Sequence, residues 1–267
     1  MKITEINKEL AIEFIKKYHY SKIMPRLTKV YLGAMENNVI IGVLTLGYGT
    51  QPLGTIKKIF YKHDLKSKDY VEIGKMCFIP SMNQTNFGSQ FMKHIIRWIK
   101  ENMNHVMFLY TMADGIMGKV GYVYQASNFK YIGSFKTSVY MDRITGEKIH
   151  PRSAKTLCLE NAKYENKNKV FWLTHKFCDY KKIDKINGLM FRYIYALNND
   201  GKKILREYHE YNLKYPKEKD LIFERRISQG NFIKIDKPNF NMEVFEHNYQ
   251  KNIKDKQLNI FDFMKEE

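Results

Sequence analysis

Residues 105–129 read His105-Val106-Met107-Phe108-Leu109-Tyr110-Thr111-Met112-Ala113-Asp114-Gly115-Ile116-Met117-Gly118-Lys119-Val120-Gly121-Tyr122-Val123-Tyr124-Gln125-Ala126-Ser127-Asn128-Phe129. His105–Ala113 is a short, mostly apolar run, which predicts a buried central strand. It ends in Asp114, and open α/β sheets hold their ligands at the carboxyl ends of strands. Three glycines follow and allow the backbone to approach a bound molecule closely. Gly121–Asn128 predicts a short helix with Tyr124, Gln125 and Asn128 at helical spacing.

The pattern extends outward in both directions. Phe87–Asn102 carries Phe87, Phe91, Ile95, Trp98 and Ile99 on one stripe and predicts a helix. Val71–Ile79 alternates as a strand does and stops at Pro80. Val30–Met35 and Val39–Leu46 are β-rich runs separated by Glu36-Asn37-Asn38, which predicts a hairpin. Residues 8–18 place Leu10, Ala11, Phe14, Ile15 and Tyr18 at three- and four-residue steps behind Asn7, a helix with a ready cap. Tyr131–Met141 is strand-like. The order helix, hairpin, strand, helix, strand, helix, strand predicts a mixed α/β domain over residues 1–146. Residues 147–250 read as an α+β extension packed on that core. Within it lie basic loops, an apolar patch at Val170–Thr174, a strand at Leu189–Leu197 and a helix from Gly201. Residues 251–267 read as a flexible tail.

Composition bounds the class. Among 267 residues, Lys and Arg number 45 and Asp and Glu 28, a net charge of +17, with 44% hydrophobic residues. That proportion suits a globular chain and argues against wholesale disorder. No apolar run reaches the roughly 20 residues of a membrane span, and the N-terminus lacks the pattern of a secretory signal. Cys77, Cys158 and Cys178 form no CxxC, which argues against a zinc ribbon or disulfide scaffold and predicts a reducing cytoplasm. The positive surplus suits nucleic acid. A Lys-rich proteome from an AT-rich genome produces it equally.

Several clusters can carry chemistry. His19-Tyr20-Ser21 follows the first helix. Histidine titrates near neutrality, so it can move protons or bind metal, or simply cap the helix. Glu72 and Lys75 share a strand and either face one cleft or decorate a sheet edge. Lys75 can hold a phosphate or carboxylate as a point charge. Tyr124 can stack on a base, and Gln125 and Asn128 can pair with the edge of adenine. The plainer alternative is a turn and a polar helix start, with Asp114 as a cap. Gln84–Ser89 precedes the long helix, and Asn86, Gly88 and Ser89 stand where backbone N–H groups bind anions. This stretch resembles the pyrophosphate loop of GNAT acyltransferases but differs in spacing. In the tail, Gln257, Leu258, Ile260 and Phe261 resemble the peptide by which bacterial replication proteins dock on the sliding clamp. A hydrophobic anchor folding back on the domain is the alternative.

Taken together, Tyr18-His19-Tyr20-Ser21, Glu72-x-x-Lys75, Asp114, Gly118-x-x-Gly121 and Tyr124-Gln125-Ala126-Ser127-Asn128-Phe129-x-Tyr131-x-Gly133 resemble the Mom family of phage DNA-modification proteins. The resemblance covers about residues 10–140 and implies a divergent GNAT-like fold, a mixed central sheet flanked by helices. It also implies a transferase that alters the N6 amino group of adenine in double-stranded DNA with a carbamoylmethyl-type adduct, protecting phage DNA from restriction in the cytoplasm of the infected host. By the same resemblance His19, Tyr20, Asp114 and Tyr124 are the catalytic candidates, with Ser21, Lys75, Gln125 and Asn128 around the substrate. Lys75 stands where the family leads one to expect Arg. The donor would be of acyl-CoA type or another carbamoylmethyl- or glycine-derived compound. A metal ion fits the residue types, but no HxxxH or CxxC spacing marks a site. Two other readings stay open: a GNAT acyltransferase acting on a protein or small molecule, and a non-catalytic DNA- or clamp-associated protein.

Overall fold

The computed structural model describes residues 1–25, 27–48, 56, 59–83, 86–151, 154–208 and 213–244. Along the chain run β1 (Lys2–Glu5), α1 (Lys8–Tyr18), β2 (Thr28–Glu36), β3 (Val39–Gly47), β4 (Tyr70–Phe78), α2 (Phe87–Asn102), β5 (Phe108–Asp114), α3 (Tyr122–Ala126) and β6 (Lys130–Asp142). Then follow β7 (Lys148–Ile149), α4 (Lys155–Tyr164), α5 (His175–Tyr180), β8 (Ile183–Ala196), α6 (Asn199–Arg206), β9 (Glu224–Ser228) and β10 (Asn231–Lys234). The chain forms two compact units. One holds Met1–Asp114, Lys119–Phe135 and Met190–Lys219, and the other holds Gly115–Gly118, Lys136–Leu189 and the residues from Asp220 onward. The division therefore does not follow a single cut after residue 146. β6 and β8 each run from one unit into the other.

The first unit is a mixed sheet flanked by helices. β1, β2, β3 and β4 are antiparallel neighbours in that order, β5 lies parallel to β4, and β8 lies antiparallel to β5. The hairpin turn at Asn37 and Asn38 has both residues at positive φ (48° and 63°), which asparagine tolerates better than most side chains. Asn7 caps α1 by accepting from the Leu10 N–H at 2.9 Å. α1 buries Ala11 and Ile15 against Val43 and Cys77. A second cluster gathers Phe60, Tyr70, Phe108, Tyr110 and Ile194. α2 occupies the predicted span and buries Phe87, Phe91, Met92, Ile95, Ile96 and Ile99, as its stripe requires.

The second unit has its own apolar cluster, with Tyr140, Leu157, Leu173, Phe177 and Ile183 among its members. Its strands include the first half of β8, which pairs with β9, and the β9–β10 hairpin. The sequence pattern predicted the last part of β8 but not its start at Ile183. Asp184 and Lys185 interrupt the apolar alternation there. Asp184 is buried nonetheless, because Arg143 donates to its carboxylate at 2.8 Å. α4, α5 and the β9–β10 hairpin lie in stretches whose polar composition predicted loops.

Phe91 is fully buried, so Phe91→Ala is expected to lower stability by about 3–5 kcal/mol. Urea unfolding followed by circular dichroism measures this, and a loss well under 1 kcal/mol would contradict the packing described.

Candidate functional site

β4 and β5 pair over three residues each, Tyr70–Glu72 against Phe108–Tyr110. Among the described residues their pairing ends there, although β4 runs to Phe78 and β5 to Asp114. Each strand stays held on its outer side, β4 by β3 as far as Phe78 and β5 by β8 as far as Asp114. The inner edges thus part. Backbone groups outside a ladder need another hydrogen-bonding partner, which makes a parted pair of strands a natural ligand seat.

Lys75 belongs to one parted edge, Thr111 and Asp114 to the other. The segment after α1 reaches both. The Lys75 ammonium donates to the Ser21 carbonyl at 3.0 Å, and its backbone N–H donates to Thr45 Oγ1 at 2.9 Å. Tyr20 lies within electrostatic reach of Asp114 and Tyr124. Burial first, then the Asp114 carboxylate, then Tyr124, drive the Tyr20 phenol far above its ordinary pKa, so it is a neutral donor. The Lys119 ammonium stands 5.8 Å from the centre of the Tyr20 ring.

His19 ends α1 with an extended backbone, its N–H donating to Ile15 O. Its ring is buried and stacked on Tyr20, with centroids 4.3 Å apart. The Ser21 N–H donates to His19 Nδ1 at 2.9 Å, and the Ser21 carbonyl lies at the same distance. One nitrogen cannot accept and donate at once. The Ser21 N–H can only donate, so acceptance by Nδ1 is the coherent assignment. A neutral His19 then carries its proton on Nε2.

The Glu72 carboxylate adds to burial in raising Tyr70, which is pushed up to about 12, and in raising Tyr110. The Arg192 guanidinium opposes the shift at Tyr110. Tyr124 is likewise raised by burial, and the Thr111 hydroxyl beside it tempers the shift.

The rest of the quoted stretch is strongly tied to its own unit. The Gln125 amide nitrogen lies 3.1 Å from each of Val120 O, the Tyr193 hydroxyl and Pro216 O, three acceptors that share its two N–H groups. Tyr193 in turn donates to Val120 O. Gly121 has φ 88°, and a Cβ there would stand 2.6 Å from Tyr193 Cε2, so only glycine fits. Asn128 takes the left-handed position after α3, with φ 61°. At the start of α2, Gly88 is buried, and an added Cβ would meet Val123 at 3.0 Å. The Ser89 hydroxyl donates to Asn86 O at 2.9 Å. Asn86 precedes the helix without a side-chain cap. Gln257, Leu258, Ile260 and Phe261 lie outside the described residues.

The structure therefore gathers His19, Tyr20, Ser21, Lys75, Asp114 and Tyr124. It adds Thr111 and Lys119, which sequence reasoning passed over. A hydroxyl inside an otherwise apolar strand was the available signal for Thr111. Nothing marked Lys119 among so many lysines. Among the described residues no group of three or more His, Cys, Asp or Glu is placed to hold a metal ion, and no helix is long and apolar enough to cross a membrane.

The Mom protein family matches residues 1–217. The chain belongs to that family. The match ends inside the last segment of the first unit, so it covers all the candidate residues described above from His19 to Tyr124. The chain is 27% identical over 189 residues to the methylcarbamoylase mom of Escherichia phage Mu, covering 70% of this chain and 76% of that one. Among solved structures, an IAA acetyltransferase from Bacillus cereus ATCC 14579 is similar at TM-score 0.39 and 13% identity, over 73% of this chain and 97% of that one. The ribosomal-protein-S18-alanine N-acetyltransferase from Escherichia coli is similar at TM-score 0.39 and 7% identity, over 74% and 94%. The mixed sheet and flanking helices of this Mom protein rest on its own strand pairing.

Tyr20, Tyr110 and Tyr193 are all raised by burial above the ordinary phenol value. A phenol whose pKa is higher folded than unfolded adds stability that is full below about pH 10 and declines as pH rises further. An alkaline titration is expected to show these phenols silent until the chain unfolds. Phenolate absorbance should then rise together with loss of the circular dichroism signal. Complete ionisation while the fold persists would contradict the burial of this cluster.

Proposed function

We propose that this Mom protein is a DNA-modifying transferase that alters the N6 amino group of adenine in phage DNA, adding a carbamoylmethyl-type group and shielding the DNA from host restriction. Family membership supports the class. The observation that carries the chemistry is the meeting of Tyr20, Asp114 and Tyr124 beside the parted strands. The name methylcarbamoylase, borne by the phage Mu relative, supports a small amide-bearing group as the one transferred.

Adenine N6 is a poor nucleophile, because its lone pair is delocalised into the ring. As N6 bonds to the donor's carbon, an N6–H bond must break and its proton needs an acceptor. Asp114 is that acceptor. His19 Nδ1 is engaged by Ser21 and its Nε2 holds a proton, so His19 acts as a positioning group and donor. The leaving group departs with the electron pair of the bond it held. Neutral Tyr20 and Tyr124 suit a base turned out of the helix, as stacking walls and uncharged donors. Lys75 holds an anionic group as a point charge, without the fork an arginine would offer.

The donor supplies the electrophilic carbon. The start of α2, with Asn86, Gly88 and Ser89, is the candidate seat for an anionic portion such as that of an acyl-CoA-type compound. The net charge of +17 suits double-stranded DNA as partner and would make binding strongly salt-dependent. The Gln257–Phe261 peptide would dock on a sliding clamp and deliver the enzyme to new DNA.

Expression in a bacterium, followed by digestion of host DNA and nucleoside mass spectrometry, tests the chemistry. A heavier deoxyadenosine is expected, falling at least about 100-fold in Asp114→Ala. Full modification by that variant would remove Asp114 from its role, and unaltered DNA from the wild-type chain supplied with phage lysate would remove the function. For the tail, a chain lacking residues 257–261 should no longer co-purify with the clamp. Retained capture would sink the docking role.

A further inference from the structure

The second unit presents large aromatic side chains to solvent on a framework that holds them still. Phe171 is 74% exposed, Trp172 59% and Tyr180 64%. Exposed aromatics at adjacent positions are unusual on a surface with no partner. The segment that carries Phe171 and Trp172 joins α4 to α5 and is tied down on three sides. Asn161, fully buried on α4, accepts from the Thr174 N–H at 2.7 Å and donates to its hydroxyl at 3.1 Å. The Leu173 N–H donates to the Tyr140 hydroxyl at 3.1 Å. Arg226 on β9 donates to Leu173 O and Thr174 O, each at 3.3 Å. The backbone just after the two rings is thus held, which limits the conformational entropy the segment loses when something binds it.

The charge around them is one-sided. Residues 163–185 contain seven Lys and three Asp or Glu. The nearby acids already have partners: Asp184 and Asp179 accept from Arg143, Glu165 accepts from Thr174, and Glu160 pairs with Lys181. The lysines stand by the rings. Lys169 lies 4.6 Å from the centre of Phe171 and Lys185 5.7 Å from that of Trp172. Burial and the Arg226 guanidinium push the Lys185 ammonium below its ordinary pKa, an arrangement that an incoming anion relieves.

Flat apolar faces alternating with cations match the bases and phosphates of a single nucleic-acid strand. A duplex hides its base faces, whereas an unpaired strand offers bases to the rings and phosphates to the surplus of lysines. We infer that this patch of the second unit binds single-stranded DNA, its rings stacking on unpaired bases and its lysines holding the phosphates. The inference goes beyond the proposed function, which takes double-stranded DNA as partner, and its evidence is independent of the catalytic residues.

Oligothymidine binding to the full chain, read by Trp172 fluorescence and by anisotropy of a labelled strand, tests it. Quenching is expected, together with a preference for the single strand over a duplex of equal length. The Phe171→Ala/Trp172→Ala double variant should bind the strand about tenfold or more weakly. Trp172→Phe should retain most of the affinity. Both substitutions are at exposed positions, so the urea midpoint should stay near wild type, which separates lost binding from lost folding. A double variant that binds within about twofold of wild type, or a Trp172 signal unmoved by a saturating strand, overturns the inference. The assay contains no donor. A chain that binds the strand in this way yet modifies no DNA would overturn the catalytic reading alone.

Discussion

The parting of β4 from β5 is the constraint from which the rest of the site follows. Parallel neighbours ordinarily continue their ladder as far as both strands run. Here the ladder stops after three residue pairs, while β3 and β8 hold the outer edges to the ends of the strands. A gap opens without either strand losing its place in the sheet. Lys75 and Asp114 stand on opposite banks of it, and the His19–Ser21 segment spans them from outside the sheet. The spanning segment is held by a lysine on one bank and by the electrostatic neighbourhood of a carboxylate on the other.

Around that gap the fold collects phenols in preference to charges. Tyr20, Tyr110, Tyr124 and Tyr193 are each raised by burial, and carboxylates deepen the effect at Tyr20 and Tyr110. A neutral phenol is a rigid ring with a hydroxyl at its tip, able to pack, stack and donate without the penalty of a buried charge. Asp114 then keeps company with groups that favour its interactions without ionising themselves. Gln125 and Gly121 fit this frame from below. One bonds the Tyr193 hydroxyl, and the other has no side chain that would strike the Tyr193 ring.

Much of the first unit was legible in the sequence because its signals are local. α2 has an unbroken apolar stripe, α1 has its asparagine cap, and the β2–β3 hairpin has paired asparagines at its turn. The second unit was harder. α4 leaves Leu159 and Tyr164 exposed and buries the polar Asn161, so its periodicity is blurred. The first half of β8 contains a buried aspartate that only its distant partner Arg143 makes tolerable. Such compensation acts across some forty residues of chain and leaves no trace in a local pattern.

The candidate site divides along the same line. The amino-acid sequence by itself determined which chemistry was on offer: a histidine, tyrosine and serine after a helix, an aspartate ending an apolar strand, and a glycine-hinged aromatic helix. It also determined the family, since that likeness rests on residue types in order. Only the tertiary structure decided which of these meet. Lys75 donates to the Ser21 carbonyl, and Glu72 acts on Tyr70 and Tyr110. Gln125, a plausible reader of a base by its type, became a strut between Val120, Tyr193 and Pro216. The physical reason is that hydrogen bonds and charge interactions act over a few ångströms of space. Their partners lie up to ninety residues apart along the chain, and only folding brings them within that reach.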